Sequence, residues 1–349
     1  MYPNSGVPIA YYIDGSIHQI PSIAYIAYEA GGTICTDSGE THACIQRDHP
    51  SLQAACFENS GEIRKYFLEK GIKVIVYPGY HIRYFRDLPG VKHVQVFHGI
   101  SDKAYDFKRA VLEYDLFFIP GMDAYERYGK LGLLKRGTGV LVGCTKLDRV
   151  FRGMLKRGEM LEQLGLDPRR KTVLYAPTWV KDGGYSSSWK KFRNAFLRNK
   201  PDDVNLIVKL HPNIKRYRAQ EVEVFKAQIA RVEGARFFDS LPDVVPLMAA
   251  SDVLVGDVSS VTREFLAFKR PFVFLSNRPR WLWKRAKIAL WECGRVVRCP
   301  RNVWRAVRGA LEEPGRYMER IGRRYERTFY KPDGDASKRA AEILRGLIG

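Results

Sequence analysis

Short apolar runs rich in Val, Ile, Phe and Tyr recur along the chain, each followed by a longer segment with helical spacing. That alternation restricts the fold more than any other feature. Strands that alternate with helices run parallel, are covered on both faces, and read as unbroken apolar runs. The spacing predicts first-half strands over 8–13, 33–36, 73–77, 94–97, 115–119 and 139–142, with helices over 19–29, 60–70 and 123–131. In the second half it predicts strands over 172–176, 205–210, 235–238, 252–256, 271–275 and 295–298, with helices over 190–198, 220–231 and 261–268. A charged segment with helical character, 152–170, separates the halves and marks the domain junction. The last stretch, 302–349, is basic and helical, broken at Pro314 and at Lys331-Pro332-Asp333-Gly334. The expectation is α/β: two doubly wound domains facing a cleft, with a helical tail.

At 349 residues and 45% apolar content, the chain has the length and core material for two domains. Its 58 Lys and Arg against 38 Asp and Glu leave a net charge of +20, which calls for an anionic partner: nucleic acid, a membrane surface or a phosphorylated substrate. No run of about 18 apolar residues suggests a membrane span, and the N-terminus lacks the basic-then-apolar order of a secretory signal. The six cysteines form no CxxC pair, so reduced thiols in a cytosolic protein are expected, and no zinc-ligand spacing appears.

Ligands of open α/β sheets bind beyond the carboxyl ends of the strands. The distinctive polar residues collect there: Pro78-Gly79-Tyr80-His81, His98-Gly99, Pro177-Thr178-Trp179, Lys209 with His211-Pro212, and Asp257-Val258-Ser259-Ser260. In the last of these, a strand, a tight turn and a helix present backbone N–H groups and two hydroxyls, a cradle for phosphate. The alternative is that Ser260 only caps the helix. Glu264, one turn on, either binds ribose hydroxyls or complements the helix dipole. His98 is a candidate general base, with Gly99 allowing close approach; the alternative is a hydrogen-bonded structural histidine. His211 repeats that placement in the other half. His81 lines the same edge, Lys103 would meet phosphate charge or lie on the surface, and Gly143 to Asp148 reads as a turn with Asp148 near the cleft.

Taken in order, these segments resemble those of the CDP-glycerol glycerophosphotransferase family, the teichoic-acid primases and polymerases. His98-Gly99 with Lys103 is similar to the family's HGTPLK segment, Tyr175-Ala176-Pro177-Thr178 to YAPT, and Lys209-Leu210-His211-Pro212 to RMHP. Ser251 to Ser260, then Arg270-Pro271, resembles ADVLITDYSS and its downstream RP. Gly143 to Asp148 resembles G-x-P-R-x-D, and Asp333-Gly334 with Arg339 resembles DG…R. Departures are Ile100 for Thr, Ser101-Asp102 for Pro-Leu, Lys209 for Arg, Val258 for Tyr and Glu264 for Asp.

The resemblance implies a GT-B fold of two Rossmann-like domains. It assigns residues 1–150 to the acceptor and 151–325 to the donor nucleotide, with 326–349 as a helix crossing back to the first domain. It implies transfer of glycerol phosphate from CDP-glycerol to a hydroxyl of a lipid-linked acceptor, with release of CMP and no metal or other cofactor. His98 would be the base. His211, Lys209, Thr178, Ser259 and Ser260, with Asp257 beside them, would hold the donor phosphates, and Glu264 the ribose. Gly99, Lys103, His81 and Asp148 would face the acceptor. No further N-terminal module is expected. Basic and aromatic residues interleave over 278–285, and another basic stretch spans 316–327, so an anionic membrane surface is an expected partner and the location is peripheral, on the cytoplasmic face. The rivals are a ribitol-phosphate transferase, a nucleotide-sugar transferase on the same fold, and a nucleic-acid- or lipid-binding protein without catalysis; no nucleic acid is expected as partner.

Overall fold

The computed structural model describes residues 6–100, 107–134, 137–179, 187–278 and 289–349. The chain divides into two compact units. Unit 1 is Met1–Arg152 with Arg327–Gly349, and unit 2 is Gly153–Glu326.

Unit 1 holds a seven-stranded parallel sheet. Its strands are β1 (Ile9–Ile13), β2 (Thr33–Thr36), β3 (Gln53–Cys56), β4 (Val74–Tyr77), β5 (Lys92–Val96), β6 (Leu116–Ile119) and β7 (Gly139–Leu141). The spatial order is β3-β2-β1-β4-β5-β6-β7, so the winding reverses between β1 and β4. These two central strands, IAYYI and VIVY, are buried at every residue, as a sheet covered on both faces requires. Register is direct: Ile9 pairs with Val74 and Tyr11 with Val76.

Unit 2 holds a six-stranded parallel sheet: β8 (Lys171–Ala176), β9 (Val204–Lys209), β10 (Ala235–Phe238), β11 (Val253–Gly256), β12 (Phe272–Leu275) and β13 (Gly294–Val297). Its order, β10-β9-β8-β11-β12-β13, reverses between β8 and β11. Val253 to Gly256 run beside Val173 to Ala176, which brings the chain after Ala176 next to the chain after Gly256.

Two elements escape the sequence pattern. β3, QAAC, is a half-exposed edge strand without a β-branched residue. The helix Gly39–Asp48 buries only Thr41, Cys44 and Ile45, a stripe too thin to stand out. Two expected helices keep their place but tighten along their length. Trp189–Phe192 passes into a tight turn, Arg193–Ala195. Ser260–Glu264 tightens over Phe265–Phe268 and stops at Lys269, whose backbone is left-handed (φ 49°). The segment over 152–170 contains one helix, Arg157–Gln163.

The chain's end returns to unit 1. The helix Ala336–Gly346 buries Ala340, Ala341 and Leu344 in the same core as Ile20, Ile23 and Ala27. Asp148 receives its first turn, accepting from Ala336 N (3.1 Å) and Ser337 N (2.7 Å). Arg339 donates to the Val142 carbonyl (2.9 Å) and pairs with Asp333 (2.8 Å). Gly143 lies at φ 99°, and a Cβ there would stand 2.8 Å from the Tyr330 carbonyl, so only glycine suits the position. The turn from Gly143 to Asp148 and the Asp333-Gly334…Arg339 segment therefore form one clasp. Asp148, expected at the acceptor, is buried here and accepts the first two backbone N–H groups of this helix, one on each carboxylate oxygen.

Candidate active site

Both faces of each sheet are packed with apolar side chains, so polar residues accumulate beyond the strand ends. In unit 1 the carboxyl edge carries His98, which follows β5. Its Nδ1 lies 3.1 Å from the Pro78 carbonyl. A carbonyl only accepts, so Nδ1 carries the proton and the neutral ring has its lone pair on Nε2, the arrangement a general base needs. The His18 ring meets that of His98 edge to face at 5.2 Å. Gly99 and the buried Ile100 line a small cavity of about 30 Å³ with His98, Thr145 and Lys146.

Lys146 is a residue the sequence reading passed over as part of a turn. It is a buried lysine in the wall of the His98 cavity. The available signal was its place two residues before Asp148, where the family pattern has an arginine. His81 sits past β4 with Nε2 3.1 Å from Asp14 Oδ2. Lys103 lies outside the described residues.

In unit 2, Lys209 ends β9 and is buried. His211 caps the helix Pro212–Tyr217, its Nδ1 accepting from Asn213 N at 3.2 Å. A neutral His211 therefore carries its proton on Nε2, opposite to His98, and is set up to donate. The Trp179 ring lies 5.8 Å from the His211 ring and stacks on Tyr217. Thr178 and Asp257 are buried on opposite sides of the β8/β11 reversal and are joined by Thr178 N to Asp257 Oδ2, 2.8 Å. Ser187 Oγ fixes the Thr178 carbonyl at 2.6 Å.

Ser259, not Ser260, is the cap of the short helix Ser260–Glu264. The Thr262 hydroxyl donates to the Asp257 carbonyl, so its contact with Ser259 Oγ at 3.1 Å must be donated by Ser259. The one proton of Ser259 is therefore held inside the turn, and Ser260 is the half-buried hydroxyl beside it. Glu264 is fully buried at the end of a five-residue helix. A cavity of about 480 Å³ opens at the amino ends of β8, β9 and β10, lined by Arg170, Asn205 and Gly234, away from every residue named above. Among the described residues, no cluster of His, Cys, Asp and Glu is arranged to hold a metal ion.

Every arginine of the 316–327 stretch has a protein partner. Arg316 pairs with Glu313, Arg323 with Glu319, Arg324 with Glu292, and Arg327 with Asp123 and Glu126, while Arg320 reaches the Glu292 carbonyl. Of the other basic stretch only Arg278 is described. No helix among the described residues is long and apolar enough to cross a membrane.

Two Rossmann-like units with parallel sheets, each with polar side chains at its winding reversal, define the GT-B class of fold. The chain belongs to the CDP-Glycerol:Poly(glycerophosphate) glycerophosphotransferase family, a transferase family whose pattern it matches over residues 41–345. It is 26% identical over 193 residues to the teichoic acid poly(glycerol phosphate) polymerase of Bacillus spizizenii, covering 53% of this chain and 47% of that one. A teichoic acid ribitol-phosphate polymerase of Staphylococcus aureus is 24% identical over 220 residues, 61% of this chain and 36% of that one. The chain thus matches less than half the length of these relatives. A solved structure of the wall teichoic acid polymerase TagF soaked with CDPG superposes with a TM-score of 0.74 at 17% identity, over 98% of this chain and 89% of that one. A UDP-GlcNAc 2-epimerase from Neisseria meningitidis gives 0.68 at 14% identity, over 97% and 100%.

Proposed function

We propose that this protein transfers glycerol phosphate from CDP-glycerol to a hydroxyl of a lipid-linked acceptor and releases CMP. The observation that carries the reading is the fixed tautomer of His98, whose Nε2 lone pair stands at the carboxyl edge of a sheet in a member of this transferase family. The acceptor hydroxyl loses its proton to Nε2 and attacks the phosphorus that bears the glycerol. The bond from that phosphorus to the bridging oxygen breaks, and CMP leaves with the electron pair. Phosphoryl transfer asks for positioning and charge stabilisation more than covalent help. In unit 2, Lys209, the Nε2–H of His211, Ser260 and the backbone N–H groups after Asp257 supply that charge, and Glu264 holds the ribose. Thr178 and Asp257 keep the turn in place, and Ser259 holds it closed. These cations and dipoles take the part a metal would otherwise play. Lys146 adds positive charge near His98.

A ribitol-phosphate donor is the second reading, because a ribitol-phosphate polymerase relative matches nearly as well as a glycerol-phosphate one. The test is CMP release from CDP-glycerol with and without a soluble prenyl-diphosphate disaccharide, with CDP-ribitol and a UDP-sugar in parallel. Acceptor-dependent CMP release from CDP-glycerol is expected. Release from CDP-ribitol alone selects the second reading, and turnover of the UDP-sugar alone removes both. The membrane contact now rests on the tryptophans and cations of the 278–285 stretch. Flotation with anionic liposomes at low salt is expected, and a protein that stays at the bottom of the gradient argues against it.

A further inference from the structure

Ligand crevices of doubly wound sheets form where the strand order reverses. In unit 1 that point lies between β1 and β4. The chain after β1 brings Asp14, His18 and Gln19 to one side of it; the chain after β4 brings Pro78, Gly79 and His81 to the other. Asp14 and Gln19 precede the part of the chain that matches the family.

Two buried polar atoms here have no hydrogen-bond partner: Gln19 Oε1 and His81 Nδ1. Such atoms are uncommon in folded proteins and each costs about 1–3 kcal/mol, so something is expected to satisfy them. His81 Nε2 is held by Asp14 Oδ2 at 3.1 Å, which places the neutral ring's proton on Nε2 and its lone pair on Nδ1. Gln19 Oε1 accepts by its nature. Both vacant atoms are therefore acceptors, and the group that completes them must donate. A phosphate or carboxylate cannot; a polyol with neighbouring hydroxyls can.

The surroundings suit such a guest. About a third of the Asp14 side chain and 15% of His81 are exposed, so the pair borders solvent. Gly79 permits the arrangement: a Cβ there would lie 2.9 Å from His81 Cε1 and 3.3 Å from Gln19 Nε2. Its neighbour Pro78 is the residue whose carbonyl anchors His98. The same dipeptide thus supports the proposed base on one side and the two vacant acceptors on the other.

We infer that Gln19 and the Asp14–His81 pair form a seat for polyol hydroxyls of the acceptor, positioning it for His98. The inference rests on the function proposed above, and it makes these positioning residues, acting on the acceptor alone. In full-length protein, Gln19→Leu removes the acceptor oxygen and leaves the volume nearly unchanged. It is expected to raise KM for a soluble glycerol-phosphate oligomer about tenfold, the value of one hydrogen bond of about 1.4 kcal/mol, with KM for CDP-glycerol unchanged and the melting temperature not lowered. His81→Gln is the second variant, expected to act in the same direction. An unchanged acceptor KM in both variants, or an equal rise in donor KM, overturns the seat. If the unaltered protein releases no CMP from any donor, the proposed function falls, and calorimetric titration with the oligomer judges the seat separately. Binding weakened tenfold by Gln19→Leu sustains it. Binding equal in both proteins, or absent from the unaltered one, removes it.

Discussion

Each unit sets a carboxylate across the point where its strand order reverses, and the two carboxylates hold different things. In unit 2, Asp257 accepts a backbone N–H from Thr178, and both residues are buried. In unit 1, Asp14 holds the imidazole of His81 at a site open to water. An amide is a fixed dipole, whereas an imidazole takes up and loses a proton and turns about its χ angles. One topological device therefore yields a rigid floor in one unit and an adjustable contact in the other. That suits the proposed division of labour, because a nucleotide donor is constant while a polymeric acceptor presents many similar hydroxyls.

The largest expected effect tests whether that division holds for the chemistry. His98→Ala is expected to lower CMP release about 10²–10⁴-fold, the range of general base catalysis, with donor affinity within about twofold of the unaltered protein. His211→Ala, on the unit 2 side, is expected to weaken CDP-glycerol binding as well. Steady-state kinetics with a direct nucleotide titration separate the two. A loss of donor affinity in His98→Ala as large as in His211→Ala would erase the contrast between the units.

The next effect is on stability. Asp257→Ala strands the buried Thr178 N–H and is expected to cost about 1–3 kcal/mol. Asp14→Ala removes the partly exposed hydrogen bond between Asp14 and His81 and is expected to cost at most about 1 kcal/mol. All six tryptophans (Trp179, Trp189, Trp281, Trp283, Trp291 and Trp304) lie in unit 2. Urea unfolding followed by tryptophan fluorescence should therefore register Asp257→Ala strongly. Far-UV circular dichroism is needed to see Asp14→Ala. A shift in the tryptophan midpoint from Asp14→Ala equal to that from Asp257→Ala would show that the two carboxylates are not locally distinct.

How far the sequence disclosed this follows from whether a feature is local. IAYYI, VIVY and VNLIVK declare buried parallel strands by composition alone, and the strand ends then point to His98, His211 and the turn after Gly256. β3 was silent because an edge strand needs no apolar face. Ser259 and Ser260 exchanged roles because a cap is set by one backbone turn, here by where Thr262 points its hydroxyl. The partners of Asp148, Ala336 and Ser337, were not legible because they come from the far end of the chain. The Asp14–His81 pair was out of reach for the same reason: it exists only because β1 and β4 are neighbours, a fact of sheet order that no local spacing carries.

Asp148 sharpens the comparison with the smallest effect. Like Asp257 it accepts backbone N–H groups, yet it lies in unit 1, as Asp14 does. Burial pushes its carboxyl up to about 6 from an ordinary 3.8, against the hydrogen bonds from Ser337 and Ala336 and the charge of Arg152. Its folded pKa therefore exceeds its unfolded one, and the native state binds the extra proton between pH 6 and pH 4. By linkage this group adds stability as pH falls through 6 and withholds it at pH 7. Asp14 behaves oppositely. Burial raises its carboxyl, but the hydrogen bond and charge of His81 and the hydrogen bonds from Ser16 outweigh that and hold it below the ordinary range. Its contribution is complete above the ordinary carboxylate range and is lost only below it. Between pH 7 and pH 5, then, Asp148 moves and Asp14 does not. The stability gap between the unaltered protein and Asp148→Asn is expected to widen by about 1 kcal/mol over that interval. Subtracting the two unfolding curves removes every group they share. A gap that narrows towards pH 5 would mean that the two amide hydrogen bonds outweigh burial, and Asp148 would then be a fixed anion of the same kind as Asp14.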